Sequence, residues 1–343
     1  MKMMGGMDAL CATFHALHTI ILVWRFGGSP MVFRSRAQAD DWAEGDLQSG
    51  GQKPRKFSKF QYRFRYNQHL DFQIRRRLTM KKLFFTFAFA ALLIPTAVAA
   101  QSAFDGTWKV NMNNVNFPKK PDVFVVQNGT YDCKTCVPPY KIKADGTDQP
   151  VSGHPYFDSA AITVVNDHQI KETDKKDGKT VATAATTLSP DGNTLTVEFS
   201  DSSNTNGGPP VTGNGESTRV AKGPAGSHAI SGSWRTTKIE SMSDNATVFS
   251  YKVNGDEITM TNPTGQSYTA KVNGPEAPMK GDPGISSVIV KMMGKNTLIE
   301  TDKRGDKVIG VFKMTVAGDG KTAKASFDDK LQNRTMEFDA MKQ

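Results

Sequence analysis

The sequence predicts an all-β protein, two tandem antiparallel up-and-down β-barrel-like domains that follow a signal peptide. Three observations predict it: a secretory leader within the chain, a long internal repeat after it, and short runs of alternating apolar and polar residues throughout that repeat.

The leader opens at Met80-Lys81-Lys82, which precedes an apolar run over residues 83–94 and ends in Ala97-Val98-Ala99-Ala100-Gln101. A basic start, about a dozen apolar residues and small residues before the junction read as a signal peptide over 80–100, cleaved after Ala99 or Ala100. That address is the bacterial periplasm or the exterior. Residues 1–79 scatter Arg34, Arg36, Lys53, Arg63 and Arg75-Arg76-Arg77 among aromatics without a sustained period. They read as a basic upstream extension, disordered or not translated. Charge follows the same division. Lys and Arg outnumber Asp and Glu by 15 to 6 over residues 1–100 and balance at 28 to 28 over 101–343, so the formal excess of +9 lies in the first hundred residues. The neutrality of the folded part argues against nucleic acid as a partner. Residues 9–24, an apolar patch, fall short of the roughly 20 residues a membrane span needs, and no stable span is expected once the leader is removed.

The repeat sets the domain organisation. Residues 140–201 laid on 268–329, an offset of 128 without a gap, match at 18 of 62 positions, including Tyr140 with Tyr268 and Glu172-Thr173-Asp174-Lys175 with Glu300-Thr301-Asp302-Lys303. Upstream, Gly106-Thr107-Trp108-Lys109 answers Gly232-Ser233-Trp234-Arg235 at an offset of 126. Each copy has the size of a domain. The sequence thus predicts one β domain over 104–221, a Gly-Pro-Ser linker over 222–229 and a second β domain over 230–343, each closing its own core.

Alternation supplies the strands. Leu195, Val197 and Phe199 alternate with Thr196 and Glu198, Ala323, Ala325 and Phe327 with Lys324 and Ser326, and Met336, Phe338 and Ala340 with Glu337 and Asp339. Asp191-Gly192, Asn254-Gly255 and Asp319-Gly320 are tight-turn dipeptides. Eight or nine such strands are expected in the second copy, and a meander of that length hides its edges by closing on itself.

On these residues the chain resembles two groups. Gly106-Thr107-Trp108 and Gly232-Ser233-Trp234, each leading into a strand, are similar to the opening of lipocalins and their calycin relatives. Residues 104–342, with the Phe104-x-Gly106-Thr107-Trp108-Lys109 opening and the Gly-x-Pro at Gly153 and Gly281, resemble uncharacterised exported bacterial proteins with tandem lipocalin-like β domains. The lipocalin resemblance implies an up-and-down barrel with an apolar cavity and a Trp plugging its closed end. Each copy is shorter than a lipocalin, and the later Arg motif of that family is not evident.

Few residues point to chemistry. Cys133-Lys134-Thr135-Cys136 lacks a second Cys pair for zinc and a following His for haem, and Pro138-Pro139 follows it. The second copy has an ordinary turn there, so the pair points to a structural disulfide, worth roughly 2 kcal/mol by chain entropy, rather than a redox centre. His154, His168 and His228 show no metal spacing and read as surface or loop residues. Glu172 with Asp174 and Glu300 with Asp302 each share a strand face and, interleaved with lysines, read as solvated charge clusters. Trp108, Tyr140, Trp234 and Tyr268 recur at matched positions and are the candidate ligand-binding residues. No catalytic residue, metal ligand or cofactor is expected. Two functions fit: an exported protein that binds a small apolar or aromatic ligand, or a non-catalytic structural or interaction module of the cell envelope.

Overall fold

The computed structural model describes residues 102–343. The signal peptide expected over 80–100 and the extension over 1–79 lie outside the described residues. The first sequence copy holds ten strands: β1 (Gly106–Asn116), β2 (Asp122–Gln127), β3 (Thr130–Cys133), β4 (Tyr140–Lys143), β5 (Gln149–Pro150), β6 (Ser159–Asn166), β7 (Gln169–Lys176), β8 (Lys179–Leu188), β9 (Thr194–Asp201) and β10 (Val211–Lys222). The second holds β11 (Gly232–Met242), β12 (Val248–Asn254), β13 (Glu257–Thr261), β14 (Ser267–Lys271), β15 (Ala277–Pro278), β16 (Ser287–Met293), β17 (Thr297–Arg304), β18 (Lys307–Val316), β19 (Thr322–Asp329) and β20 (Arg334–Lys342). There is no α-helix among the described residues.

Alternation builds these strands as expected. In β19, Ala323, Ala325, Phe327 and Asp329 are buried, while Thr322 and Lys324 between them are exposed. Two-residue turns with positive φ at both positions, such as Asn128-Gly129 (52° and 65°) and Asp177-Gly178 (51° and 74°), match the twist of the strands they join.

The strands form two nearly closed, ten-stranded antiparallel sheets, but these do not follow the sequence copies. One runs β4-β3-β2-β11-β10-β9-β8-β7-β6-β5 and the other β14-β13-β12-β1-β20-β19-β18-β17-β16-β15. The first strand of each copy has been exchanged. Barrel one is thus the continuous segment 122–242, and barrel two is 248–342 closed by 106–116. The seam of barrel two is bridged where Ser267 and Lys280 exchange backbone hydrogen bonds of 3.0 and 2.8 Å. In barrel one, Gly146 N donates to Ile162 O at 2.8 Å.

This pairing corrects the expectation that each copy closes its own core. The reason lies in β10 and β11, which pair antiparallel from Gly213 with Met242 to Lys222 with Gly232. The Gly-Pro-Ser run over 222–229 is the loop of that hairpin, not a linker. Residues 117–121 and 243–247 make the passages between barrels. Each passage is fastened: Arg334 of β20 forms a buried 2.5 Å ion pair with Asp122 at the start of β2, and Lys109 of β1 reaches Asp244 at 2.7 Å.

A second, wholly polar joint lies between the loops of the two barrels. Asp282 accepts from the Tyr156 hydroxyl at 3.1 Å and from Asn204 Nδ2 at 2.8 Å. Asn206 Nδ2 donates to Thr264 O and Gly281 O, and Gln266 Nε2 to Asn204 O. A Cβ on Gly284 would fall on the Tyr156 hydroxyl. Gly284→Val is therefore expected to destabilise the protein by about 1–3 kcal/mol, as overpacking does, measured as a lower denaturant midpoint with an unchanged slope. An unchanged midpoint would show that the joint yields freely.

Candidate functional site

Each exchanged strand carries its Trp into the core of its host barrel. Trp108 is fully buried, donates from Nε1 to Phe104 O at 2.9 Å and stacks on Phe249 at 6.1 Å between centroids. Trp234 is 2 % exposed and donates to Ile230 O at the same 2.9 Å. A cation lies over each ring: Arg219 of β10 at 4.0 Å from Trp234, and Lys342 of β20 at 4.8 Å from Trp108. These two basic residues were not legible in the sequence, because only the strand pairing sets them opposite the Trp residues.

The two matched tyrosines mark a buried acidic line. The Tyr140 hydroxyl donates to Glu172 Oε1 at 3.2 Å, and the Tyr268 hydroxyl to Glu300 Oε2 at 2.6 Å. Glu172, Asp174, Glu300 and Asp302 are all buried, which corrects the expectation of solvated charge clusters. The strand period explains it: Ile170 and Leu298 point inward, so Glu172, Asp174, Glu300 and Asp302 on the same faces must follow. Asp201 and Asp329, also buried, extend each line across the sheet. Burial pushes Glu172 up to about 8 and Asp302 to about 7, and it holds Asp174 and Glu300 well above the carboxylate range. The neighbouring Asp302 pushes Glu300 up further, because two like charges buried side by side disfavour each other. Burial thus disfavours the charged form of all four carboxyls.

The histidines divide. His168 and His228 lie in loops, whereas His154 is buried, stacked on Phe157 at 4.6 Å and edge-on to Tyr140 at 5.4 Å. It too lies in a loop, between β5 and β6, but that loop is packed into the seam of barrel one, so only the surface half of the reading is corrected. Burial pushes its imidazole down to about 4.

Cys133 and Cys136 are joined in a buried disulfide between β3 and β4. At the same place in barrel two, Asn262 Oδ1 accepts from the amides of Thr264 and Gln266 at 3.3 and 3.1 Å. A hydrogen-bonded turn thus does there what the disulfide does in barrel one.

Among the described residues, two concavities bear on the candidate residues. One, of about 550 Å³, lies over barrel two beside a bulge in β1, where the pairing jumps from Asn111 with Asp339 to Val115 with Phe338. Asn113, Lys313, Lys324 and Asp339 line it. The other, of about 420 Å³, lies at the Trp234 end of barrel one and includes Arg219, Lys222 and His168. None of Trp108, Tyr140, Trp234 and Tyr268 lines either concavity; the structure sets Trp108, Trp234 and Tyr268 in the cores and packs the half-buried Tyr140 against one. In comparisons with known proteins, no family model, curated protein or solved structure matched the chain.

Proposed function

We propose that the chain is an exported, lipocalin-like, non-catalytic module that meets a partner of the bacterial envelope through the outer surfaces of its barrels. The observation that supports this reading is the filling of both interiors. Trp108, Phe249, Tyr268 and Phe312 in barrel two, and Trp234, Tyr131, Phe124 and Ile162 in barrel one, are each at most 2 % exposed. Side chains packed to that degree serve the core, and none of these eight lines either concavity described above. A Trp buried at the start of the exchanged strand in each barrel supports the lipocalin-like reading.

A second reading, a carrier of a small apolar or aromatic ligand, has one observation in its favour. Ten strands make a wider barrel than the eight whose interior side chains just fill. Native mass spectrometry of the protein released gently from its own cells separates the two. The module reading expects the bare chain mass together with cross-links to an envelope protein. A reproducible extra mass of a few hundred daltons, lost on unfolding, would favour the carrier.

A further inference from the structure

We propose that the Trp234 end of barrel one is a binding site for an oxyanion, a phosphate or phosphate-bearing group. The fold makes two ends of the molecule equivalent, and they differ in charge; such a site is compatible with a module and with a carrier alike.

At the plugged end of barrel two, a cation and an acid occur together. Lys342 lies over Trp108 and donates to Ala103 O at 2.8 Å. Asp105, one residue before Gly106, accepts from the amide of Val253 and feels the charge of Lys342. At barrel one the equivalent of Asp105 is Ser231, one residue before Gly232. Its hydroxyl takes over the same structural task, accepting from the amide of Val126 at 2.9 Å. The hydrogen bond is kept and the negative charge is gone.

The positive charge, meanwhile, is kept. Arg219 stands where Lys342 stands, and its guanidinium donates to three backbone carbonyls, Gly192, Ala229 and Ser231, at 2.5–2.8 Å. Carbonyls fix its orientation without cancelling its charge. Lys222 and His168 line the same 420 Å³ concavity. His168 sets Nδ1 against Leu188 O at 3.3 Å, so Nδ1–H donates there and Nε2 donates to an anion when the ring is the imidazolium, whereas Asn296 occupies its place in barrel two. The acid in the wall, Asp191, turns its oxygens to Ser189 and to the amide and side chain of Asn193. A concave site with a fixed guanidinium, an ammonium and an imidazole attracts a compact multivalent anion, and a guanidinium held by its neighbours does not need to be ordered on binding.

The test uses the intact protein and its histidine Cε1–H resonances, which are few because the chain has six histidines. Titration with inorganic phosphate is expected to shift the His168 resonance, assigned with His168→Gln, in a saturable way. Lys222→Glu, at an exposed position, should weaken the binding roughly tenfold or more. Lys295→Glu, at a hairpin tip of barrel two, should leave it unchanged. Sedimentation with phosphatidylglycerol vesicles, against phosphatidylcholine vesicles, distinguishes the sources: vesicle binding lost in Lys222→Glu assigns a lipid headgroup, and phosphate binding alone assigns a soluble phosphate. Absence of both, or binding that Lys222→Glu and Lys295→Glu weaken alike, overturns the proposal.

Discussion

Deleting residues 101–116 is expected to unfold barrel two and leave barrel one standing, although those residues open the first sequence copy. β1 pairs with β20 through six register pairs and with β12 through four, and it brings Trp108 and Val110 into the core of barrel two. Without it, β12 and β20 become unpaired edges around a core that has lost its largest side chain. Removal of a buried Trp alone costs about 3–5 kcal/mol, and a whole strand costs more. Barrel one loses no strand, because 122–242 already contains β2–β11. Hydrogen exchange should therefore show protection lost over 248–342 and kept over 122–242. A peptide of residues 101–117 added in trans should restore it. Loss of protection over 122–242 instead, or over both barrels equally, would mean that the strands are not exchanged. By the same argument, a fragment from Ala229 carries β11 with no partner and lacks β1, whereas a fragment of 117–243 is expected to melt cooperatively.

The second large effect is on alkaline stability. The ordinary value for a Glu carboxyl is 4.5, and burial raises Glu172 to about 8 in the folded protein. A raised value means the folded state binds the proton more tightly, so this stabilisation is complete below about 4.5 and is lost as pH rises through 8. Asp302, raised to about 7, contributes over a lower window of the same sign. Glu172→Gln with Glu300→Gln mimics the protonated pair: each new amide still accepts from its tyrosine, and the amide at position 300 can donate to Asp302 as the protonated Glu300 does. The double variant should raise the melting temperature at pH 8.5 by roughly 6 °C or more, for a gain of about 2 kcal/mol, and change it little at pH 5. A loss of stability at both pH values would show that the carboxylates are charged and paired. On the acid side the sign reverses. His154, pushed down to about 4, gives up stability as pH falls below its ordinary 6.5, so His154→Gln should flatten that limb.

Period-two alternation and turn dipeptides made β19 and β20 legible in the sequence nearly residue by residue, because both signals are local. The exchange of β1 and β11 was not legible, since Gly106-Thr107-Trp108 and Gly232-Ser233-Trp234 are equally suited to either barrel. What decides between hosts is the hairpin that β10 makes with β11, a pairing the Gly-Pro-Ser run concealed by resembling a linker. The buried acids had a signal that charge overrode. Ile170 and Leu298 fix the inward face of β7 and β17, and the carboxylates lie two and four residues further along it. Arg219 and Lys342 had none, because a cation over a ring depends on which strand lies alongside.

The exchange also sets an order in time. As the chain is made, β1 emerges first, and its two neighbours, β12 and β20, follow more than 130 and 215 residues later. Barrel one can complete itself while the chain is still arriving, and β1 must wait beside it, unpaired and carrying an exposed Trp. Barrel two then closes only when the last strand arrives, so an interrupted chain leaves β1 available to any other sheet edge nearby. A chaperone that shields a single extended segment of some ten residues would meet this long-lived hazard in the folding of the protein.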